Sequence, residues 1–145
     1  MRREDLRLRL EDLYRQYDHR FVTPDPLEFA RAQRSDADRE VVGLVAAGLA
    51  FGTVMQIKRS VAAVLEVLGP LPAEAVAALD PRETAARLRT FRHRWLDGRD
   101  VACLLFLARQ MRGSHGTVEA FFAEGLAPDD LERVRRHEAV IVLPV

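Results

Sequence analysis

A single cysteine, Cys103, cannot form a disulfide within the chain, and no Cys/His spacing offers a zinc site. No metal and no cofactor is therefore expected. Long apolar runs are missing too. Nothing approaches the roughly 18–20 residues that a membrane span needs, and the opening MRREDLRLRLED alternates charge with leucine instead of building a signal-peptide block. The expected compartment is the cytoplasm, without a membrane partner. An excess of one charge is also absent: with 22 basic against 22 acidic residues, no global field draws the chain toward nucleic acid, and any such contact must be local. Lysine is nearly missing. Lys58 is the only one, so arginine carries the positive charge, in the form suited to bidentate phosphate or carboxylate contacts. Genome base composition also explains an Arg- and Ala-rich chain, and it is the weightier explanation. No phosphate-cradling Gly-rich loop, nucleophile elbow, HExxH motif or dinucleotide fingerprint occurs, which points to a chain without catalytic activity of its own.

What is present suits a globular domain: 48% hydrophobic and 30% charged residues in a length that can bury about 68–70% of its unfolded surface. The patterning predicts an all-α, orthogonal multi-helix bundle. Leu6, Leu10, Leu13 and Tyr17 recur at helical steps, placing one apolar face on an opening helix that ends near Asp18. After Pro24 and Pro26, DPLEFARAQ supplies a short helix with Leu27, Phe29 and Ala30 as its buried contacts. Ser35 reads as the N-cap of a helix from Asp36 to Ala50, whose middle, VVGLVAAGLA, is apolar on nearly every side and predicts a rod packed all round. Gly43, Ala47 and Gly48 would let another helix approach it closely. TVMQIKRSVAAVLEVLG is a further amphipathic helix, ended by Gly69, Pro70 and Pro72. Short helices follow at 73–79 and 81–88, the second capped by Asp80 with Pro81 at its first position. The basic stretch RLRTFRHRWLDGR then leads to a helix capped by Asp100, with Val101 to Ala108 as a second centrally buried segment. Helices at 117–124 and 128–137 complete a single domain over residues 1–138. The tail, 139–145, is an irregular or truncated end, because AVIVLPV has no partner strand.

The most suggestive tract for chemistry is Arg87 to Arg99. There Arg87, Arg89, Arg92, Arg94 and Arg99 interleave with Phe91 and Trp95 around His93, and basic residues with aromatics hold phosphates and stack on bases. The competing reading is a loop whose Phe91 and Trp95 anchor into the core while its arginines pair with nearby acids. The candidate nucleic-acid contacts are Arg89, Arg92, His93, Arg94 and Arg99. His93 also suits acid–base or phosphate contact, although a hydrogen-bonded structural histidine is the preferred reading. Phe51, Gln56, Lys58 and Arg59, near a helix start between two buried helices, are candidate pocket-lining residues, and a solvated face produces the same pattern. Cys103 lies in an apolar run, where a thiol acts as a small hydrophobe.

Three ordered blocks, DLYRQYDHRFVTPDPLEFA, DREVVGLVAAGLAFGTVMQI and FRHRWLDGRDVACLLFLARQMRGSHGTVEAFFAEG, resemble a family of uncharacterised bacterial conserved hypothetical proteins. The resemblance spans Leu13 to Leu126. Longer members continue for about a hundred residues into a half similar to the helix-hairpin-helix DNA glycosylases. It implies that this chain is the N-terminal half of a larger helical fold, that Gln56 lies at the edge of a base pocket, and that FRHRW is a family signature of unknown role. It implies DNA as the partner, through the Arg-rich tract, with self-association through the surface that a missing second half would leave bare. The sequence contains no Leu-Pro-Gly-Val-Gly-like hairpin and no catalytic lysine or aspartate following one, which separates this chain from glycosylase chemistry. The alternative is a helical scaffold or protein-interaction module without a nucleic-acid role.

Overall fold

The computed structural model describes residues 2–17, 24–127 and 129, and among them eight helices and one two-stranded hairpin. The predicted helix at 128–137 and the tail at 139–145 lie outside the described residues, Asp129 excepted. The all-α expectation holds.

Helix α1, Arg3–Gln16, forms where predicted and ends one turn after Leu13, whose carbonyl accepts the Tyr17 N–H. None of its residues is buried, and Leu6, Leu10, Leu13 and Tyr17 are all exposed. Helix α2, Leu27–Arg31, starts where the Asp25 carboxylate accepts the Leu27 N–H at 2.8 Å. Of its three predicted buried contacts, Ala30 is buried and Phe29 partly so, but Leu27 is exposed. A helix of five residues presents only one narrow face to its neighbour α3.

Helix α3, Asp36–Gly48, is capped by Ser35 as expected, its hydroxyl accepting the Asp38 N–H at 3.1 Å. Asp38 itself is buried. One carboxylate oxygen lies 2.5 Å from the Ser35 hydroxyl, and the other accepts the Ala73 N–H at 2.8 Å, which ties α3 to the first turn of α5, Pro72–Ala77. These bonds, the Ser35 hydroxyl foremost, and the more distant Arg112 charge hold the carboxyl below its ordinary range despite burial. Helix α4, Val54–Leu68, opens with a capping box between Thr53 and Gln56 and buries Ile57, Val61, Val64 and Leu68 at helical spacing. Helix α6, Pro81–Arg87, begins as predicted with Asp80 accepting the N–H groups of Arg82 and Glu83.

The core joins Val41, Val45 and Leu49 of α3 and the turn after it to Val61 and Val64 of α4 and to Val101, Leu105 and Ala108 of α7, Gly98–His115. Each fully buried valine or leucine is worth about 1.5–3 kcal/mol relative to exposure. The two apolar rods do pack together, and a side chain on Gly48 would come within 2.9 Å of Leu104, the close approach foreseen for that glycine. They are not enclosed all round. Ala47 and Gly48 face solvent on α3, as do Cys103 and Leu107 on α7, so Cys103 is exposed where an apolar run suggested burial. On α3 the outward positions are small residues that cost little to leave wet, whereas α7 leaves a large one, Leu107, outside.

The start of α7 differs from the sequence expectation in two ways. The basic tract forms an antiparallel hairpin, β1 Arg92–His93 with β2 Leu96–Asp97, not an open loop. Asp97, not Asp100, is the N-cap. It accepts the Arg99 N–H at 2.7 Å, and Asp100 reaches back to accept the Asp97 N–H at 2.7 Å, a reciprocal box that moves the helix start upstream. Helix α8, Val118–Ala123, is capped by Thr117 and by Glu40 of α3, whose carboxylate accepts the N–H groups of Val118 and Glu119 and an Arg112 Nη1 bond, all at 3.2 Å.

Candidate functional site at the hairpin

Helix α6 ends into a turn that buries Leu88 and Phe91, and only then does the chain leave the core to form the hairpin. Arg94 at the tip has φ 57, the left-handed conformation that tight hairpin turns require and that bulky residues seldom adopt. The hairpin returns to the bundle at Gly98, where a Cβ would lie 2.1 Å from the Leu88 carbonyl oxygen. Only glycine fits there.

Alternation along β1 separates its side chains. His93 points inward and is 2% exposed, with Nδ1 2.9 Å from the Ser60 hydroxyl of α4. Its Nε2 is buried without a hydrogen-bond partner. The Phe51 ring lies against it, centroids 4.7 Å apart, and Phe51 also stacks on Trp95, at 4.6 Å with an interplanar angle of 11°. Trp95 is 73% exposed. The expectation that Phe91 and Trp95 both anchor into the core is therefore right for Phe91 and wrong for Trp95: the tight turn carries the indole outside, where Phe51 is its support.

The segment below Phe51 is held by Gly52, with φ 115, and by Gln56, whose Oε1 accepts the Thr53 N–H at 3.2 Å. A side chain on Gly52 would meet Gln56 Oε1 at 2.9 Å and the Arg94 side chain at 3.7 Å. Phe51, Gln56, His93 and Arg94 are thus brought to one place by two separate elements. Lys58 is not part of it. Its ammonium pairs with Glu28 of α2 at 2.6 Å, with both side chains about one-quarter exposed. Arg59, one residue on, lines a groove of about 630 Å³ between α4 and the turn from α6 to β1.

Arg89, Arg92, Arg94 and Arg99 are all exposed. Arg92 donates through Nη1 to the carbonyls of Phe91 at 2.6 Å and Arg89 at 3.5 Å, which fixes its direction. Arg99 lies 3.7 Å from the Asp97 carboxylate. The backbone N–H of Arg99 first, then that of Asp100 and the charges of Arg99 and Arg92, lowers the Asp97 carboxyl below its usual range. Asp97 is thus the one acid within the hairpin, and it is occupied by its cap. Ser60 is a site residue that the sequence reading missed, although a hydroxyl on the apolar face of Ile57, Val61 and Val64 is the mark that a buried partner is waiting.

Among the described residues, no group of three or more His, Cys, Asp or Glu side chains is placed to hold a metal ion, and no helix is long and apolar enough to cross a membrane. The family described as a protein of unknown function (DUF2400) matches residues 25–141, a range that takes in every element from α2 to α8. Comparison with the curated proteins and with the solved structures finds no match.

Proposed function

We propose that this chain, which belongs to the DUF2400 family, binds nucleic acid through the hairpin between α6 and α7. The observation that carries the reading is Trp95, 73% exposed at a tight turn, backed face to face by Phe51 and flanked along the chain by the exposed Arg89, Arg92, Arg94 and Arg99. A large indole left in water loses the free energy of burial, and a planar aromatic supported from behind is a surface on which a base stacks. The arginines supply the phosphate contacts that set affinity without reading sequence. The resemblance of the three sequence blocks to a family whose longer members continue into a glycosylase-like half supports the same partner. In this reading the chain holds nucleic acid and does not itself break a bond.

Trp95 is the only tryptophan, so intrinsic fluorescence reports on the site without a label. Titration with short DNA and RNA oligonucleotides at low salt is expected to quench the emission, with log K falling linearly as log salt rises. Trp95→Ala is expected to cost about 1–3 kcal/mol of binding, as measured by anisotropy of a labelled strand. Arg92→Gln and Arg94→Gln should each reduce the salt slope. Absence of binding by the wild-type chain at low salt would overturn the proposal.

A scaffold role is the second reading, and α1 favours it. Leu6, Leu10, Leu13 and Tyr17 form an apolar stripe, and none of the helix is buried. Sedimentation velocity decides this one: concentration-dependent association abolished by Leu10→Glu supports it, and a monomer that binds no apolar dye removes it.

A further inference from the structure

Of the residues lining the groove beside α4, only Arg92 is among the nucleic-acid contacts expected from sequence. Its rim carries Arg59 from α4, Arg87 from the end of α6 and Arg92 from β1, against the single carboxylate of Glu66. Among the described residues, neither Arg59 nor Arg87 has an ion pair or a side-chain hydrogen bond, while Arg92 is aimed by two backbone carbonyls that engage only Nη1. Leu88 and Phe91, which are buried, also line the groove, together with Thr90 and with Ser60, whose hydroxyl is bonded to His93.

We infer that this groove is a phosphate track for an unpaired nucleic-acid strand whose base stacks on Trp95. The inference rests on the nucleic-acid reading and names its substrate class. Three arginines from three elements, with one acid among them, favour an occupant bearing more than one negative charge. The apolar part of the lining suits the sugar face of a strand better than a free hydrated ion. The groove and the platform are close: Arg92 is three residues from Trp95, at most about 10 Å along an extended chain. They also share Ser60, which lines the groove and holds His93 under Phe51.

The platform selects the form of the strand. Within a duplex both faces of each base are covered by the neighbouring bases, so the open face of the indole is met only by a base free of the stack: in a single strand, at an end or at a lesion. A phosphate track running directly from that platform holds the backbone on one side of the base alone.

The test uses the whole chain and a fluorescein-labelled single strand, with affinity measured across a salt series. Arg59→Gln and Arg87→Gln are each expected to lower the magnitude of the salt slope by about 0.7, the value for one phosphate of a single strand, and to weaken binding uniformly across sequences. Arg31→Gln, at an exposed position of α2, should leave the slope unchanged. Saturating strand should still quench Trp95 in the Arg59→Gln/Arg87→Gln double variant, and a relaxed, covalently closed circular duplex, which has no ends, should quench it far less at the same nucleotide concentration. Thermal melts by circular dichroism confirm that the variants are folded. An unchanged slope in the double variant, with binding intact, overturns the track and leaves the nucleic-acid reading standing. Equal quenching by duplex and single strand overturns the unpaired-base assignment. Displacement of the strand by millimolar inorganic phosphate at constant ionic strength would assign the groove to free phosphate instead and also overturn the track. No binding at all by wild type ends both readings together.

Discussion

Ser60 and His93 meet from elements 33 residues apart, and the bond between them is the polar contact that joins α4 to the hairpin. Removing the hydroxyl in Ser60→Ala leaves a buried imidazole with neither nitrogen paired, since Nε2 already has no partner. A cost of about 1–3 kcal/mol in urea unfolding is expected, with Trp95 emission changing as Phe51 loses its fixed neighbour. Gly98→Ala tests a different constraint. Its Cβ would fall 2.1 Å from the Leu88 carbonyl oxygen, backbone that cannot swing aside as a side chain would, so a loss of at least about 1–3 kcal/mol is expected by the same measurement. Asp38 makes stability depend on pH. Its folded carboxyl titrates below the unfolded value near 3.9, so its contribution is complete above that pH and is lost as pH falls through the lower folded value. Asp38→Asn should flatten that part of the acid limb in thermal melts taken between about pH 6 and pH 2.

At the scale of elements, α8 is anchored chiefly at its first turn. Glu40 accepts the N–H groups of Val118 and Glu119 and the Arg112 guanidinium, while Thr117 caps the same end. Glu40→Ala is therefore expected to speed hydrogen exchange of the α8 amides while leaving the α4 amides near the global rate; equal acceleration in both would show that α8 unfolds only with the core. Helices α3 and α6 are legible in the sequence because their caps, Ser35 and Asp80, stand directly before acidic first turns. The start of α7 is legible only to within three residues, since two aspartates, Asp97 and Asp100, both suit the cap and only the reciprocal bonding distinguishes them. The hairpin is not legible at all. Two residue pairs are too short for a period-two pattern, and the left-handed turn falls on Arg94, which carries none of the usual turn signals.

For the whole molecule, the all-α class follows from helical spacing, and the pairing of the two apolar stretches follows from their length and lack of charge. Their one-sided burial does not, because a run of valine, alanine and glycine looks the same whether its small residues face a neighbour or water. The site is legible in part. Arginines beside aromatics mark the tract, but nothing in the order of residues distinguishes Phe91, which anchors the turn, from Trp95, which is left outside. Leu105, fully buried in the core it shares with Val45 and Val61, carries the prediction for the bundle: Leu105→Ala should cost about 2–5 kcal/mol and lower the melting temperature without altering the position of the folded-state tryptophan emission. The close contact of Gly98 with the Leu88 carbonyl has a consequence for how the tip can vary. The hairpin, residues 92–97, follows the buried Phe91 and closes at this pinched neck, so added length between Arg94 and Trp95 would be borne by the hairpin alone, and descendants could lengthen their reach toward a ligand while inheriting the same helices unchanged.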